Sequence, residues 1–140
     1  MAITLKAYAD SGLTTELLKL SVNQKVDGST GPVDTVIYIG SVEVSKKFEA
    51  ASSPGVDQIV LSIADANPGD GHEATEVKLA LSSGGLDSAT AGASLNLGTQ
   101  LLSGVANALP VHVRVQDATA TLGVSTELSL ATNNLQELSV

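Results

Sequence analysis

Residues 110–117 have the sequence Pro-Val-His-Val-Arg-Val-Gln-Asp, in which apolar and polar side chains alternate. Val111, Val113 and Val115 fall on one face of an extended chain, whereas His112 and Arg114 fall on the other. A period of two residues is typical of a β-strand with one buried face. This stretch therefore predicts a half-buried strand.

The same alternation returns at residues 124–132, where Val124, Thr126, Leu128 and Leu130 share one face. A short link that contains Gly123 joins the two stretches. Short links with turn-forming residues connect neighbouring antiparallel strands. We therefore expect these two strands to be adjacent and antiparallel.

Further strands are predicted upstream from alternation and from the turn residues that bound each stretch. They cover residues 3–8, 13–23, 35–40, 41–48, 58–64 and 77–81, and one more strand is supplied by residues 95–97 and 100–103. Residues 14–18 could instead open a short helix, a helical turn could follow Asp87, and residues 133–140 could pair at an edge or reach a neighbour. Eight or nine short strands at this spacing predict an all-β fold, an antiparallel β-sandwich.

The predicted core is thin and aliphatic. The 140 residues fit one domain, residues 1–140, but they include no Trp, one Phe and two Tyr, and aromatic side chains bury the most area per residue. The stability of the fold would then depend partly on contacts with other copies or with a partner. The residues expected in the core are Ile59, Leu61, Ile63, Val113, Val115 and Leu128.

Charge and composition disfavour several classes of function. The net charge of −8 opposes binding to nucleic-acid phosphates. The absence of cysteine excludes disulfides, thiolate metal sites and cysteine nucleophiles, and it fits assembly in a reducing cytoplasm. The opening residues show no signal-peptide pattern, and no apolar run is long enough to predict a membrane span.

One loop concentrates oxygen ligands of the kind that Ca²⁺ prefers: Asp65, Asn67, Asp70 and Glu73. Its spacing departs from the EF-hand pattern because Gly69 stands where a third ligand is expected. We therefore favour a hairpin loop of turn-forming residues and predict no metal site. The same interpretation applies to residues 27–34.

The remaining candidate motifs favour structural roles. His72 and His112 lack the partners that zinc binding or catalysis needs, so they are interpreted as surface histidines. The glycines of residues 82–85 and 92–98 do not have phosphate-loop spacing. Lys46 and Lys47 form a basic spot typical of a solvated strand edge. No acid–base pair or nucleophile has a recognisable spacing, so we predict no enzymatic activity and no cofactor.

Four stretches of the sequence resemble small virion structural proteins of tailed bacteriophages. The first is Leu-Lys-Ala-Tyr-Ala-Asp-Ser-Gly-Leu-Thr-Thr-Glu at residues 5–16. The second is residues 27–34 followed by Val-Ile-Tyr-Ile-Gly-Ser at residues 36–41, and the others are residues 54–59 and 113–119. The resemblance covers most of the chain. It rests on short stretches of similar sequence and includes no motif that marks a function.

This resemblance implies an immunoglobulin-like sandwich and a non-enzymatic role in the particle. Within that class we expect a capsid decoration (cement) protein, which binds the major capsid protein at junctions between its subunits and works as a homo-oligomer, with a trimer favoured. Contacts are expected from residues 1–4, 25–34 and 135–140. The alternatives are a tail or neck accessory protein, or a host-adhesion module that binds carbohydrate, although the scarcity of aromatic residues argues against the latter.

Overall fold

The computed structural model describes residues 3–25, 29–116 and 126–140. Within these residues it contains ten strands, one helical turn (α1, Gly85–Ser88) and two 3₁₀ turns (Ala74–Glu76 and Val105–Asn107). The strands are β1 (Lys6–Tyr8), β2 (Val33–Gly40), β3 (Lys46–Ala50), β4 (Val60–Asp65), β5 (Val77–Ala80), β6 (Leu95–Asn96), β7 (Leu101–Leu102), β8 (Leu109–Val115), β9 (Leu128–Thr132) and β10 (Leu135–Ser139).

All strand pairs are antiparallel and form three sheets. Sheet A has the order β1-β2-β8-β5, sheet B the order β10-β3-β7, and sheet C the order β6-β4-β9. One buried apolar cluster contains residues from all three sheets, among them Ile37 of sheet A, Phe48 of sheet B and Leu61 of sheet C. The sheets therefore enclose a shared core, and the predicted all-β, sandwich-like fold is confirmed with slightly more strands than expected.

Three of the predicted core residues, Ile59, Leu61 and Val113, are fully buried. The other three, Ile63, Val115 and Leu128, are half-buried and pack against the same cluster. The single phenylalanine, Phe48, is 0 % exposed and lies at the centre of sheet B. The ring of Phe48 therefore contributes its full apolar area to the shared core.

The strand pairing predicted for the last third of the chain is wrong. Both edges of β8 are occupied, since Val113 pairs with Thr35 of β2 on one side and with Leu79 of β5 on the other. β9 therefore has no free edge of β8 to join, and it pairs with β4 in sheet C. The link that was predicted to connect them lies outside the described residues.

The strand predicted at residues 13–23 is also wrong, and no helix opens there. The Asp10 carboxylate accepts hydrogen bonds from the Thr14 hydroxyl at 2.7 Å and from the Thr15 amide at 2.9 Å. These bonds to the Thr14 and Thr15 groups lower the pKa of Asp10. The resulting turn allows only one bridge with β1, between Tyr8 and Glu16, and leaves Leu18 88 % exposed.

The strand predicted over residues 41–48 begins only at Lys46. Ser45 has a φ of 55°, a left-handed conformation that L-residues seldom adopt and that interrupts an extended strand. Val42 and Val44, which alternate as a buried strand would, lie instead on an exposed loop. β3 is the central strand of sheet B, so Lys46 and Lys47 do not lie on a sheet edge.

The single strand predicted from residues 95–97 and 100–103 is two strands in different sheets. Gly98, at a φ of 106°, lies between them and turns the chain. β6 pairs with β4 of sheet C, whereas β7 pairs with β3 of sheet B. The predicted helical turn exists as α1, but it includes Asp87 and does not follow it.

Candidate interaction surface

Six exposed apolar side chains gather around the start of β3, and we call them the apolar patch. Val44 and Val140 are the most exposed of them, at 79 % and 73 %. The described part of the chain exposes only three other large apolar side chains, which are Leu18, Val56 and Leu81. The members of the patch are Val42, Val44, Leu102, Val105, Leu138 and Val140.

The register of sheet B brings the strand residues of the patch together. Lys47 lies opposite Leu138 of β10 on one side and opposite Leu102 of β7 on the other. Residues that face one another across neighbouring strands project to the same side of a sheet. Leu138 and Leu102 therefore flank the stem of Lys47 on the outer face, while Phe48 projects into the core.

Main-chain hydrogen bonds bring the loop residues to the same place. The Val140 amide donates to the Ser45 carbonyl at 2.9 Å, which sets Val140 beside Val44. The Gly104 amide donates to the Ser41 carbonyl at 2.8 Å, which sets the turn that carries Val105 beside Val42. These bonds bring the β2–β3 loop, the turn after β7 and the end of β10 into one region of the surface.

Two buried serines hold the backbone under the patch. Ser41 is 0 % exposed; its hydroxyl lies 2.8 Å from the Thr4 hydroxyl and accepts the Glu43 amide at 3.2 Å. The Ser103 hydroxyl accepts the Lys46 amide at 2.9 Å. Because these bonds fix the loop before any partner arrives, binding at the patch would lose little conformational freedom.

The left-handed Ser45 fits this interpretation. Residues held in sparsely populated backbone conformations cluster at functional sites, where the surrounding structure has to stabilise them. Here the Ser45 carbonyl is held by Val140 and the next amide, that of Lys46, is held by Ser103. The conformation turns the chain into β3 and leaves Val44 in solvent.

The charged groups beside the patch have local partners. The Lys47 ammonium lies 2.9 Å from a carboxylate oxygen of Glu49, whose side chain is only 7 % exposed. The Lys46 ammonium donates to the Ser139 hydroxyl at 3.2 Å. The Glu137 carboxylate accepts the Thr4 hydroxyl and the Thr4 amide, so it is directed at the N-terminal segment. Charges of both signs therefore lie beside the patch, and the charge of Lys47 is neutralised by its ion pair.

A second polar cluster lies on sheet A. The Arg114 guanidinium donates two hydrogen bonds to the Asp34 carboxylate, and a third, of 2.9 Å, to Asp87 of α1. These bonds from Arg114 lower the pKa of Asp34, and the charge interaction with nearby His112 lowers it by a smaller amount. The bonds to the two carboxylates raise the pKa of Arg114. This cluster joins structural elements and uses its donors internally.

In the loop with the predicted oxygen ligands, two acidic side chains accept turn and cap hydrogen bonds. Asp65 accepts the Asn67 amide at 2.9 Å, and the Glu73 amide donates to the Glu76 carboxylate at 2.6 Å. Glu127, which directly precedes β9, accepts the His72 amide. Within residues 3–25, 29–116 and 126–140, no three acidic, histidine or cysteine side chains are grouped to hold a metal ion.

The other predicted candidates are dispersed. His72 lies in that loop, with its Nδ1 2.8 Å from a Glu76 oxygen, whereas His112 lies in β8; both are half-buried. Ser82 accepts the Gly85 amide at 3.0 Å where α1 begins. In the loop 25–34, the Lys25 amide donates to the Thr30 hydroxyl at 2.8 Å, and the predicted Asp27 lies outside the described residues.

An apolar cleft of about 550 Å³ opens between sheet A and the β9–β10 connection. Buried Ile37, Ile39 and Leu61 form part of its lining, together with Leu130 and Leu135. Asn133 and Asn134 line it as well. The side-chain oxygen of Asn133 already accepts a hydrogen bond from the Val60 amide at 2.9 Å. The cleft offers mainly apolar contact, and Lys6 and Thr132 also lie on its lining.

The patch was missed by sequence reasoning because its pattern is that of a buried strand. Val42 and Val44 alternate with Glu43 and Ser45, and period-two alternation predicts one buried face. Nothing in the local sequence marks Ser45 as left-handed. Of the segments predicted to contact a partner, only residues 135–140 contribute to the patch.

No helix in the described ranges is both long and apolar enough to span a membrane. Neither a protein-family model nor a curated protein nor a solved structure matches this chain.

Proposed function

We propose that this chain is a non-enzymatic virion structural protein of a tailed bacteriophage, and that it acts as a capsid decoration protein. The proposal rests on the phage-like stretches of its sequence. The apolar patch, which is exposed on a fixed backbone, supports one part of the proposal, the association of several copies. Large apolar side chains grouped on a surface are typical of protein–protein contact.

The mechanism follows from multiple weak contacts. A small acidic protein that binds at junctions between major capsid subunits buries surface that would be exposed if the subunits separated, and this stabilises the shell by mass action. Copies joined to one another engage several junctions together, which raises the overall avidity. A trimer would match the local three-fold junctions of such shells.

The finer architecture forms part of the same proposal. Consecutive β8 and β9 lie in different sheets, and β2 and β8, which are remote in sequence, are neighbours. Connections that cross between sheets are frequent in immunoglobulin-like sandwiches. We propose an immunoglobulin-like arrangement on this ground and on the sequence resemblance.

Head binding and shell stability test the proposed function directly. Heads that lack this protein would be mixed with the purified chain, sedimented, and heated until they release DNA. We expect the chain to sediment with heads and to raise the release temperature. Purified tails provide the control particle. Sedimentation with tails alone, or with neither particle, would contradict a role on the head.

A further inference from the structure

We infer that the apolar patch is where copies of this chain associate with one another. The inference rests on the proposed function in one respect, the expectation that several copies work together. Its occupant is a second copy, not the shell. The charge distribution and the geometry of the patch support it separately.

The charge of the chain lies almost entirely away from the patch. Counting side chains, the segments that form it, residues 41–47, 101–107 and 136–140, contain Glu43, Glu137, Lys46 and Lys47, and Glu49 belongs with them because it pairs with Lys47. Three acidic and two basic residues give a net charge of −1. The whole chain has 15 acidic and 7 basic residues, so the remaining residues carry 12 acidic and 5 basic, a net charge of −7.

This distribution of charge favours a partner that is itself acidic, such as a second copy of the chain. Two copies repel each other through their acidic surfaces, and the repulsion acts over about 10 Å at an ionic strength of 0.1 M. They can approach closely only where the local charge is near zero. A basic partner would instead be drawn to the acidic remainder of the surface. The nearly neutral apolar patch is thus the place where identical copies meet most easily.

The layout of the patch resembles the centre of an interface. Val44 is its most exposed member, and Lys47, which lies between Leu138 and Leu102, is paired with Glu49. The centres of interfaces are commonly apolar and depleted in charge, and the ion pair leaves no unpaired lysine between the two leucines. Because identical copies present identical patches, two copies can pair patch to patch about a two-fold axis, and patches that meet around a common axis can close a larger ring.

A pair of matched variants tests the inference. Val44→Glu introduces a charge into the patch at a side chain that is 79 % exposed, so the fold should tolerate it. Val56→Glu makes the same chemical change at a side chain that is 74 % exposed and lies in the turn between β3 and β4, outside the patch. Both variants alter the net charge equally, and only the first alters the proposed contact.

The mass in solution is measured by light scattering after size exclusion, across a range of protein concentrations. The parent chain and Val56→Glu should form a small multiple of the 14.1 kDa chain mass. Val44→Glu should weaken association by about tenfold or more, as expected for charging an interface centre. Added salt should strengthen association of the parent chain, because it screens the acidic surfaces.

The inference is overturned if the parent chain stays monomeric at all concentrations, or if the two variants associate equally well. Circular dichroism and the melting temperature of monomeric Val44→Glu establish that the variant is folded; an unfolded variant would be replaced by Val140→Glu, which is judged in the same way. These outcomes are separate from head binding. An oligomer that does not bind heads contradicts the role on the head and leaves this inference standing. A monomer that binds heads contradicts this inference and the joining of copies, and leaves the role on the head standing.

Discussion

Arg114 and Asp34 form a two-pronged ion pair across the centre of sheet A. The guanidinium Nε lies 2.7 Å from Asp34 Oδ1, and a terminal nitrogen lies 2.9 Å from Oδ2. The two residues face each other in the register of β2 and β8. Since the other terminal nitrogen of Arg114 bonds Asp87 of α1 at 2.9 Å, one side chain links two strands and the helical turn.

Replacing Arg114 with Met should lower the melting temperature by a few degrees. For a domain of this size, such a shift corresponds to a modest loss in the free energy of unfolding. The change leaves two carboxylates close together without their shared cation. Lys78→Met is the matched control, because Lys78 lies opposite Arg114 in the neighbouring strand β5 and forms no part of this ion pair. Equal shifts in the two variants would contradict the linking role.

Asp34 should contribute to the acid sensitivity of the fold. Its pKa in the folded protein is lowered by Arg114 below the ordinary value of 3.8, so its contribution to stability is complete above that value. It is lost as the pH falls through the lowered folded-state pKa. Asp34→Asn should therefore show a smaller loss of melting temperature on acidification from pH 5 downwards. An unchanged acid profile would show that the pair does not couple stability to pH.

Truncating the fully buried Ile59 to Ala should lower the free energy of unfolding by about 2–4 kcal/mol, because transfer and cavity terms add. Ile63 lies two strand positions after Leu61 and is only half-buried, so Ile63→Ala should be less costly. Urea denaturation of both variants measures the difference. A greater loss at Ile63 would contradict the described position of the core.

Removing divalent cations should leave the melting temperature unchanged. The oxygens of Asp65 and Glu76 are engaged by the amides of Asn67 and Glu73, and these bonds complete the turns without an ion. Thermal denaturation with and without a chelator is the measurement, and Asp70→Asn serves as a second comparison. A fall of several degrees in the chelator would reveal a cation site in this loop.

Local patterns predicted most strands because the alternation and the strand that it indicates both lie within a few consecutive residues. Val111, Val113 and Ile59 all lie where alternation placed them, and all are buried. Pairing depends on residues far apart in the chain, and alternation carries no information about which strand is the neighbour. This is why the match of β8 with β2 and β5, instead of β9, could not be predicted.

The candidate site was less predictable than the fold. Asp34 and Arg114 are 80 residues apart in sequence, and only the fold brings them into contact. Val42 and Val44 have the pattern of a buried strand, but the left-handed backbone at Ser45 leaves them outside sheet B. Exposure of an apolar side chain depends on what the rest of the chain fails to cover, so no local pattern can report it.

A cryo-electron microscopy map of the intact virion tests the central claim most directly. The account predicts density for this sandwich on the outer surface of the head, in clusters at junctions between capsid subunits, and absent from particles that lack the chain. Density confined to the tail or neck, or no density on the particle, would contradict it.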